Sequence, residues 1–267
     1  MINKIEPAAS LKHLVKCFII LQNSVNQSVP ETFKIIADGC PGLIFQQRTD
    51  AFTNCSGTTF PSLYLHGLTT SHAENIATGN YSNLIVHFYP HALKAVFGLH
   101  ASELTNSFAA LNDIVANNLT DRLMEADSID QKIALLSAFL LKLSIKNADA
   151  SQSKMSYIIS KIKTAGPDFS LSNLYSELSL SGRSLERMVK THIGVSPKFF
   201  FRISRFQNAL DILRRKKSNS LCQLAYESNY FDQSHYIRDF RQFTGSAPRE
   251  FILKAHEQIA NYPNWKV

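Results

Sequence analysis

Residues 170–200 and 220–251 carry the same pattern of residue types, and this internal repeat restricts the fold more than any other feature of the chain. At an offset of 50, Ser170, Leu171, Leu174 and Glu177 align with Ser220, Leu221, Leu224 and Glu227. At an offset of 51, Arg187, Gly194, Pro197 and Phe200 align with Arg238, Gly245, Pro248 and Phe251. The extra residue falls between the two blocks, where a turn is expected. Ser181 matches Asp232, and both residue types accept hydrogen bonds from the unpaired N–H groups that open a helix. Beyond them, Leu185, Val189 and His192 match Tyr236, Phe240 and Phe243, an inward stripe at helical spacing in each copy. A glycine then stops each helix by turning left-handed, and a proline restarts the chain where its missing N–H is not needed. Each copy therefore reads helix, short turn, helix. Between them, "SPKFFFRISRFQNALDILRRKK" reads as one helix starting near Pro197. About eighteen residues at 1.5 Å each make a rod of roughly 27 Å. Such a rod suits two recognition helices set near the roughly 34 Å that separates successive major grooves on one face of DNA.

The charge is divided in a way that fits this reading. The 267-residue chain has a net charge of +7, yet residues 1–153 sum to −2 and residues 154–267 to +9. A polyanion-binding half joined to a half with another task is the simplest interpretation. Hydrophobic residues make up 45% of the chain, enough for one large or two ordinary domains with their own cores. Cys17, Cys40, Cys55 and Cys222 show no paired spacing, which points to a reduced, cytoplasmic chain. The apolar run "LVKCFIIL" is interrupted by Lys16 and is far shorter than the roughly twenty residues a membrane span needs, so it reads as a core strand or helix.

From about residue 30 to 90 the texture is strand-like. "FKIIADGCPGLIFQQ" holds two β-rich runs around an Asp38-Gly39 turn, and "PSLYLHGLTT" and "SNLIVHFYP" are further short runs. After Pro90, "HALKAVFGL", "ASELTNSFAALND" and "DSIDQKIALLSAFLLKLSI" have helical periodicity. The last carries the stripe Ile129, Ile133, Leu136, Leu140 and Leu143, which serves either a dimer or packing on the chain's own β module. "KNADASQSK" is the linker candidate, small, polar and without periodicity.

Residues 154–254 resemble the DNA-binding domain of the AraC family of bacterial transcription regulators, most specifically in "DQSHYIRDFR" and "GSAP". Ser179 and Asn229 stand at the turns where that family often has glycine. The resemblance implies that the helices near 182–193 and 233–244 enter the major groove. Carried over by position, the base-facing residues are Arg183, Glu186 and Arg187 in the first unit, and Gln233, Ser234 and Arg238 in the second. Arginine bridges guanine O6 and N7, glutamine pairs with adenine, and glutamate accepts from cytosine N4. Lys190 and Arg241 lie farther along these faces as phosphate contacts, with Lys198, Arg202, Arg205 and the 214–217 "RRKK" run as further candidates. The competing readings are a solvated helix face for the arginines, an orienting role for Glu186 and a solvated helix end for "RRKK". His235 reaches a phosphate or covers a helix end.

The first half resembles an N-terminal regulatory domain found in part of this family, which implies ligand sensing or dimerisation. His87, His91, His66 and His72 are of a type that ligates metals, but their spacing is not that of a metal site, and no metal or cofactor is expected. Neither Cys40 nor Cys55 sits in a nucleophile signature, and no phosphate-cradling glycine loop is present. The expected fold is α+β: an N-terminal β-rich barrel or sandwich module with helices over 1–145, a linker over 146–153, an all-α domain of two helix-turn-helix units over 154–254, and a tail over 255–267. The expected function is a sequence-specific transcription regulator and not an enzyme. The alternatives are a DNA-targeted or small-molecule-modifying enzyme carrying this module, and an interaction protein without specific readout. Partners are double-stranded promoter DNA, with RNA polymerase, a small-molecule effector and a second copy of the chain as additions left open, and no membrane.

Overall fold

The structure is a computed structural model that describes residues 2–23, 30–148, 151–166, 169–215 and 221–253. Among the described residues the first half holds nine strands: β1 (Ile2–Ile5), β2 (Val15–Asn23), β3 (Glu31–Ile35), β4 (Gly42–Gln46), β5 (Phe52–Asn54), β6 (Leu63–His66), β7 (Ala73–Ala77), β8 (Tyr81–Phe88) and β9 (Phe108–Ala110). They form two antiparallel sheets, β1-β2-β8-β4-β6-β9 and β3-β7-β5, packed as an unclosed sandwich. Asp38-Gly39 lies where the chain passes from β3 in the small sheet to β4 in the large one. Helices α1 (Ala92–Phe97), α2 (Leu111–Ile114), α3 (Leu119–Glu125) and α4 (Ile129–Lys146) complete this half.

β8 is central, and its alternation divides two environments. Leu84, Val86 and Phe88 join Leu43, Phe45, Phe18 and Ile20 in the core beneath the helices. Ile85 and His87 point to the other side, toward the space between the sheets. The α4 stripe belongs to the first environment: Leu136, Leu140 and Leu143 are buried against the sheet, with Ile129 and Ile133 partly covered. Each fully buried leucine contributes roughly 1.5–3 kcal/mol, so packing on the module's own sheet explains this stripe. "SFAA" departs from the expected helix. Phe108–Ala110 pairs with Tyr64–His66 as an edge strand, because tertiary pairing outweighs the helix preference of two alanines.

The second half is helical: α5 (Ser151–Lys163), α6 (Leu171–Glu177), α7 (Gly182–Ile193), α8 (Pro197–Arg215), α9 (Leu221–Glu227), α10 (Gln233–Thr244) and α11 (Pro248–Leu253). Residues 151–153, expected in the linker, form the first turn of α5. Residues 149–150 of the linker, Lys216, Lys217, Ser220 and the 255–267 tail lie outside the described residues. The stripes of both repeat units meet in one core. Leu185, Val189, Tyr236, Phe240 and Phe243 pack around Phe200, Ile203 and Phe206 of α8. Phe206 meets Phe240 edge-on at 5.5 Å. Ile36, Ala37 and Leu68 of the sandwich join the same core, so the two halves share packing.

His91, just before α1, is buried and stacks on Tyr89 at 6.4 Å. Burial, followed by the positive charges of His13, His192 and Lys163, pushes its pKa down to about 4. The unfolded imidazole titrates near 6.5, so the folded chain resists a proton that the unfolded chain accepts. Stability linked to His91 is therefore complete above pH 6.5 and falls as the pH drops toward 4. Between pH 7 and 5 the native chain is expected to lose roughly 2 kcal/mol more than H91Q, by urea denaturation. Equal losses would contradict a buried neutral imidazole.

Candidate nucleic-acid interface

The two repeat units fold as matching local structures. Ser181 Oγ accepts from Ser184 N–H, and Asp232 Oδ1 accepts from His235 N–H, at 3.2 and 2.6 Å. Gly194 and Gly245 close α7 and α10 in the left-handed region, at φ of 101° and 77°. Pro197 and Pro248 open α8 and α11. The interhelical turns also need left-handed residues: Ser179 has φ 51° and Asn229 has φ 60°. Asparagine adopts this region readily and also donates to Ala165 C=O at 3.1 Å. Exposed Ser179 gains no such ease. S179G is expected to raise stability by roughly 1 kcal/mol on thermal melting, because the strain removed exceeds the extra freedom of glycine when unfolded. A lower melting temperature would contradict strain at this turn.

With the stripes inward, the opposite faces are open. Arg183, Glu186 and Arg187 of α7 are exposed, as are Gln233, Ser234 and Arg238 of α10. Lys190, Lys198 and Arg241 are exposed as well. Arg202 departs from the phosphate-contact expectation. Its guanidinium donates to Asp239 Oδ1 at 2.6 and 3.1 Å and to Gln242 Oε1 at 2.7 Å, between the Phe199 and Phe243 rings. Arg205 is similarly engaged, donating to Asp239 Oδ2 at 3.1 Å and lying 3.9 Å from the Tyr230 ring centre. Both arginines fix α8 to α10 through one fully buried carboxylate. His235 Nε2 lies 3.1 Å from Arg205 Nη2. Burial, then the Arg205 charge, lowers its pKa, so the neutral ring accepts this hydrogen bond and covers the ion pair.

Three residues of this half escaped the sequence reading. Asp239 sits in the inward stripe, where a lone carboxylate between Tyr236 and Phe240 was the available signal. Phe231 is 94% exposed directly before the Asp232 cap, and Tyr226 is 83% exposed on α9. No periodicity distinguishes such a residue from a core aromatic, since both read as apolar.

The C-terminal ends of α7 and α10 rest on the sandwich. Thr105 Oγ1 donates to Gly194 C=O at 3.0 Å. His72 N–H donates to Gln242 C=O at 3.2 Å, and Gln242 Nε2 donates to Thr70 C=O at 3.1 Å. The Ile36–Cys40 segment is the third contact: Ala37 N–H donates to Phe243 C=O at 3.2 Å, and its C=O accepts from Gln207 Nε2 at 2.8 Å. Asp38, the next residue, reaches the other way and accepts from His87 Nε2 at 2.7 Å. Burial opposes charge on both. The His87 charge nevertheless holds the Asp38 carboxyl below its usual range, and Asp38 holds the imidazole well above its own.

Asp38 and His87 line one end of a cavity of about 250 Å³ between the two sheets. Ile19, Ile44, Ile85, Tyr64 and Phe108 give it apolar walls, while His66 stands with the polar end. Burial lowers the His66 pKa, which keeps that ring neutral. Cys55 is exposed, with its thiol 3.1 Å from Glu74 C=O, whereas Cys40 is buried. Among the described residues no helix is long and apolar enough to cross a membrane.

Two exposed polar helix faces, repeated on one scaffold and docked on a cavity-bearing sandwich, define a class of helix-turn-helix regulator. Residues 174–254 match a family described as a helix-turn-helix domain, and residues 3–110 match a domain of unknown function (DUF6597). The chain carries an AraC-type helix-turn-helix domain and is a DNA-binding transcription regulator. No curated protein matches it in sequence. Similar solved structures include ToxT from Vibrio cholerae O395, at 12% identity and a TM-score of 0.46, covering 88% of this chain and 96% of that one. Wild-type ToxT of strain SCE256, crystallised with an unsaturated fatty acid, is 14% identical with a TM-score of 0.45, covering 88% and 94%.

Proposed function

We propose that the chain is a cytoplasmic regulator that reads two adjacent major-groove segments of promoter DNA and responds to a small molecule in the sandwich. The observation carrying the DNA reading is the matched exposure of Arg187 and Arg238 at equivalent positions of α7 and α10, outside the shared core. In this reading Arg183, Glu186 and Arg187 contact one set of bases and Gln233, Ser234 and Arg238 another. Lys190, Lys198 and Arg241 contact phosphates. The 19-residue α8 is about 28 Å long, close to the roughly 34 Å between successive major grooves on one face.

The response to a ligand follows from the Ile36–Cys40 segment. It borders the cavity through Asp38, and the residue before it, Ala37, holds Phe243 and Gln207. A ligand that prefers one position of Asp38 shifts the population of that docked arrangement and thereby the freedom of α10. The α4 stripe has its partner within the chain, so a dimer built on that stripe forms no part of the proposal.

The test is enrichment of duplexes from a random pool by the purified full-length chain at near-physiological salt. A compact enriched motif is the expected result. Binding that falls steeply with salt and enriches no sequence would reduce the module to electrostatic association.

A further inference from the structure

We propose that Asp38, Cys40 and His87 form a binding site for a zinc-like divalent cation at the junction between the cavity and the DNA-binding half. Asp38, Cys40 and His87 each offer one ligand atom, and these atoms lie within 4.8 Å of one another. The set is one oxygen, one sulfur and one nitrogen. A thiolate with an imidazole selects a borderline-soft ion such as zinc over magnesium or calcium. Three protein ligands also match the pattern of a zinc site that keeps one position open. Because Asp38 and His87 line the cavity, a polar group of a bound small molecule has access to that position.

The fold builds the cluster from parts remote in sequence. Gly39, at φ 73°, bends the segment so that the residues on either side of it both approach His87. Cys40 N–H donates to Asp38 Oδ1 at 2.9 Å, which fixes the carboxylate. Across the large sheet, Cys17 pairs with His87, His87 with Gly42, and Gly42 with His66. Cys17 Sγ lies 4.0 Å from His87 Nδ1 and so backs the ring on the side away from Asp38. Orientation of a ligating histidine through its second nitrogen is what metal sites require. Gly42 leaves the space between the two histidines open: a Cβ there would stand 2.4 Å from His66 Nε2.

Lys16 Nζ lies 3.6 Å from Cys40 Sγ and holds the sulfur when no cation is bound. Binding replaces this contact and releases to solvent both the proton on His87 Nε2 and the thiol proton of Cys40. The carboxylate and thiolate then supply two negative charges to a doubly charged ion. The same segment grips Phe243 and Gln207 through Ala37, so the cation stiffens a contact between the halves.

The test needs no DNA, so its failure is separable from failure of the regulator reading. The reduced, metal-free full chain with C55S and C222S, which removes the exposed thiols, is titrated with Co2+ and then Zn2+. One equivalent is expected to bind with a near-ultraviolet thiolate-to-cobalt band, and Zn2+ is expected to displace it. D38N and H87Q, which each remove a direct ligand, are expected to weaken binding by more than the roughly 10–100-fold that loss of an outer-shell partner costs, and C40S to abolish the band. X-ray absorption of the zinc-loaded wild-type chain, which requires no substitution, is expected to give one sulfur with nitrogen and oxygen ligands. A band that survives C40S, a zinc shell without sulfur, or no binding near one equivalent would each overturn the proposal.

Discussion

D239A is expected to destabilise the helical half by about 3–5 kcal/mol. Asp239 is fully buried and receives both Arg202 and Arg205, whose side chains are only 26% and 9% exposed. Removing the carboxylate leaves two guanidinium groups facing each other in a site closed by Tyr230, Phe199 and Phe243. The loss is therefore the cost of uncompensated buried charge and not the modest value of an exposed ion pair. Urea denaturation of the full chain, followed by tyrosine fluorescence and far-ultraviolet circular dichroism, measures it. R202M with D239M is expected to recover part of the loss only, since Arg205 would still lack its partner. A change below about 1 kcal/mol for D239A would mean that water reaches the arginines and that Asp239 is not the joint between α8 and α10.

The second large effect concerns binding. R238A is expected to weaken binding to the cognate duplex by about 1–3 kcal/mol and to relax preference at one base pair. R187A is expected to do the same at a base pair in the other segment. The two sites lie on separate helices without shared contacts, so the double variant is expected to lose roughly the sum. The measurement is titration of cognate and scrambled duplexes at fixed salt. Equal loss on both would assign the arginine to a phosphate. By contrast, R202A is expected to reduce affinity only in proportion to misfolding of the domain, because its guanidinium faces Asp239 and Gln242.

Arg202 also marks a limit of sequence reading. Its place on the long helix beside other basic residues made it look like a phosphate contact, since charge pattern reports exposure only when no buried acid lies opposite. Asp239 is 37 residues away, and nothing local links the two. The caps, glycine stops and proline starts were legible because each depends on residues within a few positions of one another. For the same reason, Ser181, Asp232, Gly194 and Gly245 fall where local chemistry requires them. The strands of the first half were legible as runs, but not their order. β2 lies beside β8, which is how Cys17 comes to face His87, 70 residues away. The cavity and the Asp38–Cys40–His87 cluster depend entirely on such pairings. Spacing along the chain, such as His87 to His91, was therefore uninformative: His91 lies past the end of β8 at the start of α1 and stacks on Tyr89, while His87 meets Asp38. Phe108–Ala110 failed for the converse reason, because its local preference is helical and its strand exists only against β6.

The most direct test of two-segment reading is guanine N7 methylation interference on the enriched duplex with the full-length chain. The account predicts two clusters of interfering guanines about one helical turn apart on one face, one cluster lost in R187A and the other in R238A. A single cluster, or two clusters that disappear together in either variant, would contradict the claim that α7 and α10 read separate segments.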